Sequence, residues 1–138
     1  LEAISGRFHM IETDRFLIVD DCYNANPMSM KASLDVLHDG EGRRVAILGD
    51  MGELGEDEAA LHEGVGIHAA TCGIDACVCV GDLAVHIAEA ARKANPDFPV
   101  YYEKTRESLL SRKGITCVNF CQLRGEFCEN LTNDFCFI

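Results

Sequence analysis

The densest group of polar side chains in the sequence directly follows an apolar run, FLIV, early in the chain. This group, Asp20–Pro27, reads DDCYNANP. Its carboxylates could accept hydrogen bonds from ribose hydroxyls or hold part of a magnesium shell, Tyr23 could stack on a base, and Asn24 and Asn26 can each donate and accept hydrogen bonds. The alternative is that the aspartates are solvated at a strand end while Asn26 only caps a helix. That alternative is the commoner one for an isolated aspartate pair, so these residue types alone leave both open.

A second polar group, DMGELG at residues 50–55, follows another apolar run, RRVAILG. Asp50 or Glu53 could bind the ammonium group of a substrate. Alternatively, Glu53 and Glu56 are acids placed before a helix, where the positive end of the helix dipole favours negative charge. The sequence gives these two interpretations equal weight. His62 lies one turn inside that helix, and we predict that it packs or caps rather than catalyses.

The spacing of apolar residues indicates which strands and helices position the two polar groups. Two runs with β character, Arg7–Glu12 and Arg15–Asp20, flank Thr13-Asp14 and predict a hairpin. Asn26 is predicted to cap the first helix, with Pro27 in its first turn. Further helices are predicted at about Glu56–Cys72, Leu83–Ala94 and Thr105–Lys113, and further strands at Arg43–Gly49, Asp75–Val80, Val100–Glu103 and Ile115–Cys121. Gly73 is predicted to follow the end of the second helix, and Thr105 is a candidate N-cap of the last one.

This alternation predicts an α/β fold, a Rossmann-like three-layer sandwich whose mostly parallel sheet carries an N-terminal β-hairpin. Ligands bind such sheets at the carboxyl ends of the strands. The predicted ends are Asp20-Asp21, Gly49-Asp50, Gly81-Asp82 and Lys104. Both polar groups are therefore expected at the same edge of one sheet.

The composition narrows the class of protein. The 138 residues contain 12 Lys and Arg against 23 Asp and Glu, and a net charge of -11 argues against a nucleic-acid surface. No apolar run is long enough for a membrane span and no signal peptide is visible, so we expect a cytoplasmic protein. The eight cysteines form no CxxC pair, which favours reduced thiols over a metal site. Cys77 and Cys79 alternate along an apolar run, so their side chains are predicted to face the same side of a strand. The sequence leaves the oligomeric state open.

Several strings resemble those of the carboxy-terminal domain of the Mur ligases, in particular the branch of that family that adds D-alanyl-D-alanine. The resemblance runs from about Gly6 to Gly114, and its most specific strings are DDCYNANP and GDMGELG. The others are GRFH at Gly6–His9, SMKASLDVL at Ser29–Leu37, LHEGVG at Leu61–Gly66 and CVCVG at Cys77–Gly81.

The resemblance implies one domain of an ATP-dependent carboxylate–amine ligase of peptidoglycan precursor synthesis. Such a ligase phosphorylates the carboxylate of a UDP-N-acetylmuramoyl-tripeptide to an acyl phosphate and joins it to D-alanyl-D-alanine. The implied cofactors are ATP and Mg²⁺, held mostly by a central domain. The implied partners of this chain are that central domain and an amino-terminal domain.

The resemblance also implies roles for individual residues. Arg7 would reach the ATP phosphates, where a guanidinium can bind oxygens in bidentate fashion and offset charge during transfer, and is the implied catalytic residue. The implied cofactor-binding set is Arg7, Asp20, Asp21, Tyr23, Asn24 and Asn26. Asp50 and Glu53 would lie near D-alanyl-D-alanine as substrate-binding residues. No residue is assigned as a metal ligand.

Two departures from the family pattern matter. No GxxxxGK[ST] string occurs to cradle phosphates, so this chain alone is predicted to have no ligase activity. After Lys113-Gly114 the family continues with an apolar strand, a lysine and a small-residue loop, whereas this chain reads ITCVNFCQLRGEFCENLTNDFCFI. We therefore divide the chain into a Mur-like domain, residues 1–114, and a divergent or non-native tail, residues 115–138, that continues the same domain.

Three alternatives stay open on sequence. The chain could come from another Mur ligase or a folylpolyglutamate synthase, although DDCYNANP and GDMGELG argue against both. A phospho-receiver module would use the acidic pair for magnesium, with Asp50 as phosphoryl acceptor and Lys104 as the strand-end lysine. Asp50, however, ends the next strand after the acidic pair, whereas a receiver needs its acceptor at the end of the strand after that. A nonenzymatic nucleotide-binding domain would share the same contacts.

Overall fold

The computed structural model describes residues 9–12, 17–21, 25–111 and 134–137. The elements run β1 (His9–Glu12), β2 (Leu17–Asp20), α1 (Pro27–His38), β3 (Arg43–Leu48), α2 (Glu58–Thr71), β4 (Ala76–Val80), α3 (Ala84–Ala94), β5 (Val100–Glu103), α4 (Arg106–Ser111) and β6 (Asp134–Phe137). These elements confirm the predicted β-hairpin and the alternation of strands and helices.

The six strands form one sheet in the order β1-β2-β6-β3-β4-β5. β1 pairs antiparallel with β2, and every other pairing is parallel. The helices α1, α2 and α3 follow successive strands, and α2 contacts both of its neighbours. These three helices form one layer, because right-handed crossovers that advance in one direction along a sheet lie on the same face.

The two faces of the sheet bury different side chains, as the alternation along a strand requires. Toward α1–α3, the sheet contributes Ala46 and Leu48 from β3 and Cys77 and Cys79 from β4. The opposite face contributes residues packed with Leu109 of α4, namely Ile18, Val45, Ile47, Ala76 and Val78. The α/β three-layer sandwich is therefore confirmed, with α4 as the described helix on the second face.

Helix α2 lies unusually close to helix α3. A Cβ placed on Gly66 would lie 2.2 Å from the carbonyl oxygen of Ile87. The missing side chain therefore allows the two backbones to approach. Gly73, predicted to follow the end of α2, does so with a φ of 95°, which is the left-handed conformation that glycine adopts without steric cost.

Three details differ from the sequence predictions. α2 begins at Glu58 rather than Glu56, because a 3₁₀ turn, Gly55–Asp57, precedes it. Asp75 precedes β4 instead of joining it, and its carboxylate accepts the N–H of Arg44 at 2.7 Å. β6 separates β2 from β3, while the predicted strand Ile115–Cys121 lies outside the described residues.

Candidate functional site

The two polar groups lie at the same edge of the sheet, as the sequence predicts. β2 ends at Asp20, β3 at Leu48 and β4 at Val80, and these strands run parallel through their shared neighbours. The segments after these ends form two structures at that edge. We call the described residues 20–21 and 25–26 the first loop and residues 49–55 the second loop.

The first loop is fixed where it meets α1. The hydroxyl of Ser33, inside α1, donates to Oδ2 of Asp21 at 2.5 Å. Asn26 caps α1 as predicted, because its Oδ1 accepts the backbone N–H of Ser29 at 2.9 Å. The Ser29 hydroxyl accepts the backbone N–H of Asn26 at 3.1 Å in return, which completes a capping box.

The first loop contains groups that could form hydrogen bonds with a ligand. Ser33 orients the Asp21 carboxylate, and a carboxylate can accept several hydrogen bonds at once. The cap uses the amide oxygen of the exposed Asn26 and leaves its amide nitrogen as a donor. The first loop therefore offers acceptors suited to ribose hydroxyls and one donor beside a helix N-terminus. Cys22, Tyr23 and Asn24 lie outside the described residues, as does the implied catalytic residue Arg7.

The second loop starts with an aspartate that holds another element. The carboxylate of Asp50 accepts three backbone N–H groups at the start of α3, from Asp82 at 3.1 Å, Leu83 at 3.0 Å and Ala84 at 2.7 Å. No side chain within α3 caps this helix. Asp50 therefore caps α3 from the end of a neighbouring strand. The sequence around Asp50 does not indicate this role.

Gly81 makes room for that cap. Its φ is 134°, and a Cβ there would lie 2.2 Å from Oδ1 of Asp50. Any side chain at this position would displace the carboxylate. Next to it, the hydroxyl of Tyr102 in β5 donates to the carbonyl oxygen of Gly81 at 3.0 Å, so the turn after β4 is held from both sides.

The next residue of the second loop is anchored in the core. The side chain of Met51 is buried, and its backbone N–H donates to Nε2 of His62 at 2.9 Å. Nδ1 of His62 lies 2.6 Å from the carbonyl oxygen of Glu58, which can only accept. The imidazole is therefore neutral with its proton on Nδ1. The prediction that His62 packs or caps is confirmed.

Beyond Met51 the loop turns outward. Glu53 is exposed and has a φ of 58°, in the left-handed region that non-glycine residues rarely adopt. Such a conformation costs on the order of 1 kcal/mol and persists when its surroundings impose it. The loop therefore presents the Glu53 carboxylate to solvent from a strained backbone conformation.

At the opposite end of the sheet, where the strands β3 and β4 begin, a polar contact has a structural role. Asp75 is partly desolvated, which raises its pKa, but the backbone N–H and guanidinium of Arg44 outweigh this and lower the pKa overall. Nη1 of Arg44 also donates to the carbonyl oxygen of His38 at 2.6 Å. This contact joins β3, the start of β4 and the end of α1.

Cys72, Cys77 and Cys79 are poorly suited to reaction or metal binding. Cys77 and Cys79 are buried with their sulfur atoms 3.8 Å apart, which confirms that both face one side of β4. The hydrogen bond with Cys77, and then burial, raise the pKa of Cys79, and burial raises the pKa of Cys72. Among the described residues, no three His, Cys, Asp or Glu side chains are grouped to hold a metal ion. In the same part of the chain, every helix is too short or too polar to cross a bilayer.

Comparisons with known proteins identify the family of the chain. The family model "Mur ligase, glutamate ligase domain" matches residues 6–115. The UDP-N-acetylmuramoyl-tripeptide–D-alanyl-D-alanine ligase of Escherichia coli is 41% identical over 92 residues, which are 66% of this chain and 20% of that protein. The ligase of the same name from Bacillus subtilis is 36% identical over 116 residues, 82% of this chain and 24% of that protein. The match therefore spans a fifth to a quarter of these relatives.

Solved structures give the same result. A crystal structure of MurF from Acinetobacter baumannii superposes with a TM-score of 0.75 and 29% identity, over 99% of this chain and 28% of that one. MurF ligase from Thermotoga maritima, solved in complex with ADP, superposes with a TM-score of 0.58 and 26% identity over 80% of this chain and 30% of that one.

Proposed function

Because the chain belongs to the Mur ligase family, glutamate ligase domain, we propose that it is the carboxy-terminal domain of a ligase that joins D-alanyl-D-alanine to a UDP-N-acetylmuramoyl-tripeptide. The observation that carries the proposal is the arrangement at the carboxyl edge. One loop offers ribose acceptors beside a helix N-terminus, and the other presents an exposed carboxylate next to two residues that are held by helices. The E. coli and B. subtilis relatives carry this activity in their names.

The first loop is the proposed nucleotide side. The Asp21 carboxylate, oriented by Ser33, and the neighbouring Asp20 suit the ribose of ATP, because carboxylates accept hydroxyl hydrogen bonds. The Asn26 amide is placed beside them by its cap. ATP would supply the phosphoryl group that activates the tripeptide carboxylate. We propose that Arg7, Tyr23 and Asn24 complete this side.

The second loop is the proposed amine side. Of the two acids that the sequence suggests, Asp50 already accepts three N–H groups, while the Glu53 side chain is exposed. We assign the direct contact with the ammonium of D-alanyl-D-alanine to Glu53. Asp50 contributes negative charge nearby and holds the loop on α3.

Other parts of the ligase complete the reaction. The sequence contains no P-loop, so the ATP phosphates and Mg²⁺ would be held mainly by a central domain, and the UDP end by an amino-terminal domain. The chain alone is proposed to be inactive. The reaction is placed in the cytoplasm, where free thiols such as those of Cys77 and Cys79 stay reduced.

The test joins this chain to the amino-terminal and central domains of the B. subtilis ligase, and we call the product the chimeric ligase. ADP formation is measured with UDP-N-acetylmuramoyl-tripeptide and each candidate amine. We expect ADP formation that requires D-alanyl-D-alanine, and none from the chain alone. A chimeric ligase that binds the UDP substrate normally but uses D-glutamate or a diamino acid instead would contradict the proposal.

A further inference from the structure

We propose that His62 is a positioning residue for the amine substrate, acting through the second loop. This inference rests on the proposed amine side. It extends the site to a side chain that touches no substrate and lies inside α2. His62 holds the loop at Met51, two residues before the carboxylate that meets the ammonium.

The burial of His62 supports a specific role. In the described part of the chain it is the one buried polar or charged side chain, with none of its surface exposed. Burying a polar ring is unfavourable unless its hydrogen bonds are satisfied. An apolar residue would fill the same space next to Val65 without that cost, so the two ring nitrogens must contribute something that packing alone does not.

The hydrogen bonds of the ring show what it contributes. Nε2 accepts the N–H of Met51 at 2.9 Å, and Nδ1 donates to the carbonyl oxygen of Glu58 at 2.6 Å. The ring therefore joins the second loop to the first turn of α2. Without an acceptor at Nε2, the N–H of Met51 would be buried without a partner, a state that proteins avoid.

The second loop is held at two successive residues by two different helices. Asp50 binds the N-terminus of α3, and Met51 binds His62 in α2. α2 and α3 are themselves locked together, since Gly66 lies against the backbone of Ile87. Gly52 and then Glu53, with its left-handed backbone, follow Met51. The contact with His62 therefore sets the point from which the segment that carries Glu53 leaves the core.

The tautomer can be tested on the full chain alone. Long-range ¹H–¹⁵N correlation spectra should show the His62 ring protonated on Nδ1 and unprotonated on Nε2. A ring with its proton on Nε2, or one that is doubly protonated at neutral pH, could not accept the Met51 N–H and would overturn the inference.

The positioning role is tested by kinetics in the chimeric ligase with His62→Leu, His62→Gln and Val65→Ala. Val65 is equally buried in α2, so its truncation controls for lost stability. We expect His62→Leu to raise the KM for D-alanyl-D-alanine about tenfold while leaving the KM for ATP unchanged, because the acceptor for Met51 is lost and the ammonium ligand shifts. His62→Gln should recover most of this, since its amide oxygen can accept that N–H.

The outcomes separate the two proposals. An unmodified chimeric ligase that does not use D-alanyl-D-alanine would refute the proposed function. An active chimeric ligase in which His62→Leu and Val65→Ala change both KM values alike would refute the positioning role alone. A rise in the KM for ATP with His62→Leu would also overturn it, because the contact would then serve the nucleotide side.

Discussion

The two loops at the carboxyl edge are held in different ways. The first loop is tied to α1, the helix that directly follows it, through Asn26 with Ser29 and Asp21 with Ser33. The second loop is tied to α3 and α2 through Asp50 and Met51, and the contacts of Asp50 reach more than 30 residues along the chain. The difference indicates that the first loop depends mainly on the helix next to it, while the second loop depends on how two helices pack.

The largest expected effect comes from separating those two helices. Gly66→Ala would place a methyl group 2.2 Å from the Ile87 carbonyl oxygen, and overpacking against backbone should cost about 3 kcal/mol of unfolding free energy. We expect amide NMR shifts throughout the second loop and few in the first. The measurement is urea unfolding together with an amide spectrum.

Gly64→Ala is the matched control in the same helix. Its methyl group would meet only the far end of the Lys31 side chain, 3.4 Å away. Alanine favours helix over glycine by up to about 1 kcal/mol, so this variant should be neutral or more stable. If both variants unfolded alike, the close packing of α2 on α3 would not be what supports the second loop.

A smaller effect is expected from removing the cap that the second loop gives to α3. Asp50→Ala should cost about 1 to 2 kcal/mol, since three N–H groups lose their acceptor. Hydrogen exchange at Leu83 and Ala84 should accelerate. Asp82→Ala is the control, because that exposed side chain makes only an ion pair of 3.6 Å with Lys104, and it should change stability little. Equal losses would refute the cap.

The corresponding change in the first loop should be local. Asn26→Ala removes the cap of α1 and should cost about 1 kcal/mol, while Asn26→Asp should retain stability by accepting the same N–H of Ser29. Amide shifts should stay within the first loop and the first turn of α1. Shifts that extend to Glu53 would show that the two loops are coupled, and would contradict the claim that they are held in different ways.

The smallest effect is expected at the opposite end of the sheet. The lowered pKa of Asp75 means that its contact with Arg44 stabilises the fold above the ordinary pKa of an aspartate, and that this contribution disappears as the pH falls through the lower folded-state value. The pair is partly exposed, so Asp75→Asn should cost only a few tenths of a kcal/mol at pH 7. Urea unfolding should show this difference vanishing in strong acid. A difference that grew on acidification would contradict the assignment.

Local signals made much of the fold and the first loop predictable. Asn26 and Pro27 mark the start of α1, Thr105 caps α4 through the N–H of Ser108, and Gly73 follows the end of α2. Each of these signals acts within a few residues. Apolar alternation likewise predicted that Cys77 and Cys79 share a face.

The contacts of the second loop and the strand order at the centre of the sheet could not be predicted from local sequence signals. Nothing near Asp50 in the sequence indicates that its carboxylate caps α3, because its partners are distant in the chain and Gly81 must lack a side chain to admit it. The place of Asp134–Phe137 between β2 and β3 likewise depends on long-range pairing, which no local pattern specifies.

The most direct test of the central claim, that the first loop serves the nucleotide and the second the amine, is a crossed pair of KM measurements in the chimeric ligase. We expect Asp21→Asn to raise the KM for ATP and leave that for D-alanyl-D-alanine unchanged. Glu53→Gln should do the reverse. If both variants raised the KM of the same substrate, or if neither changed either value, the division of the edge into a nucleotide side and an amine side would be wrong.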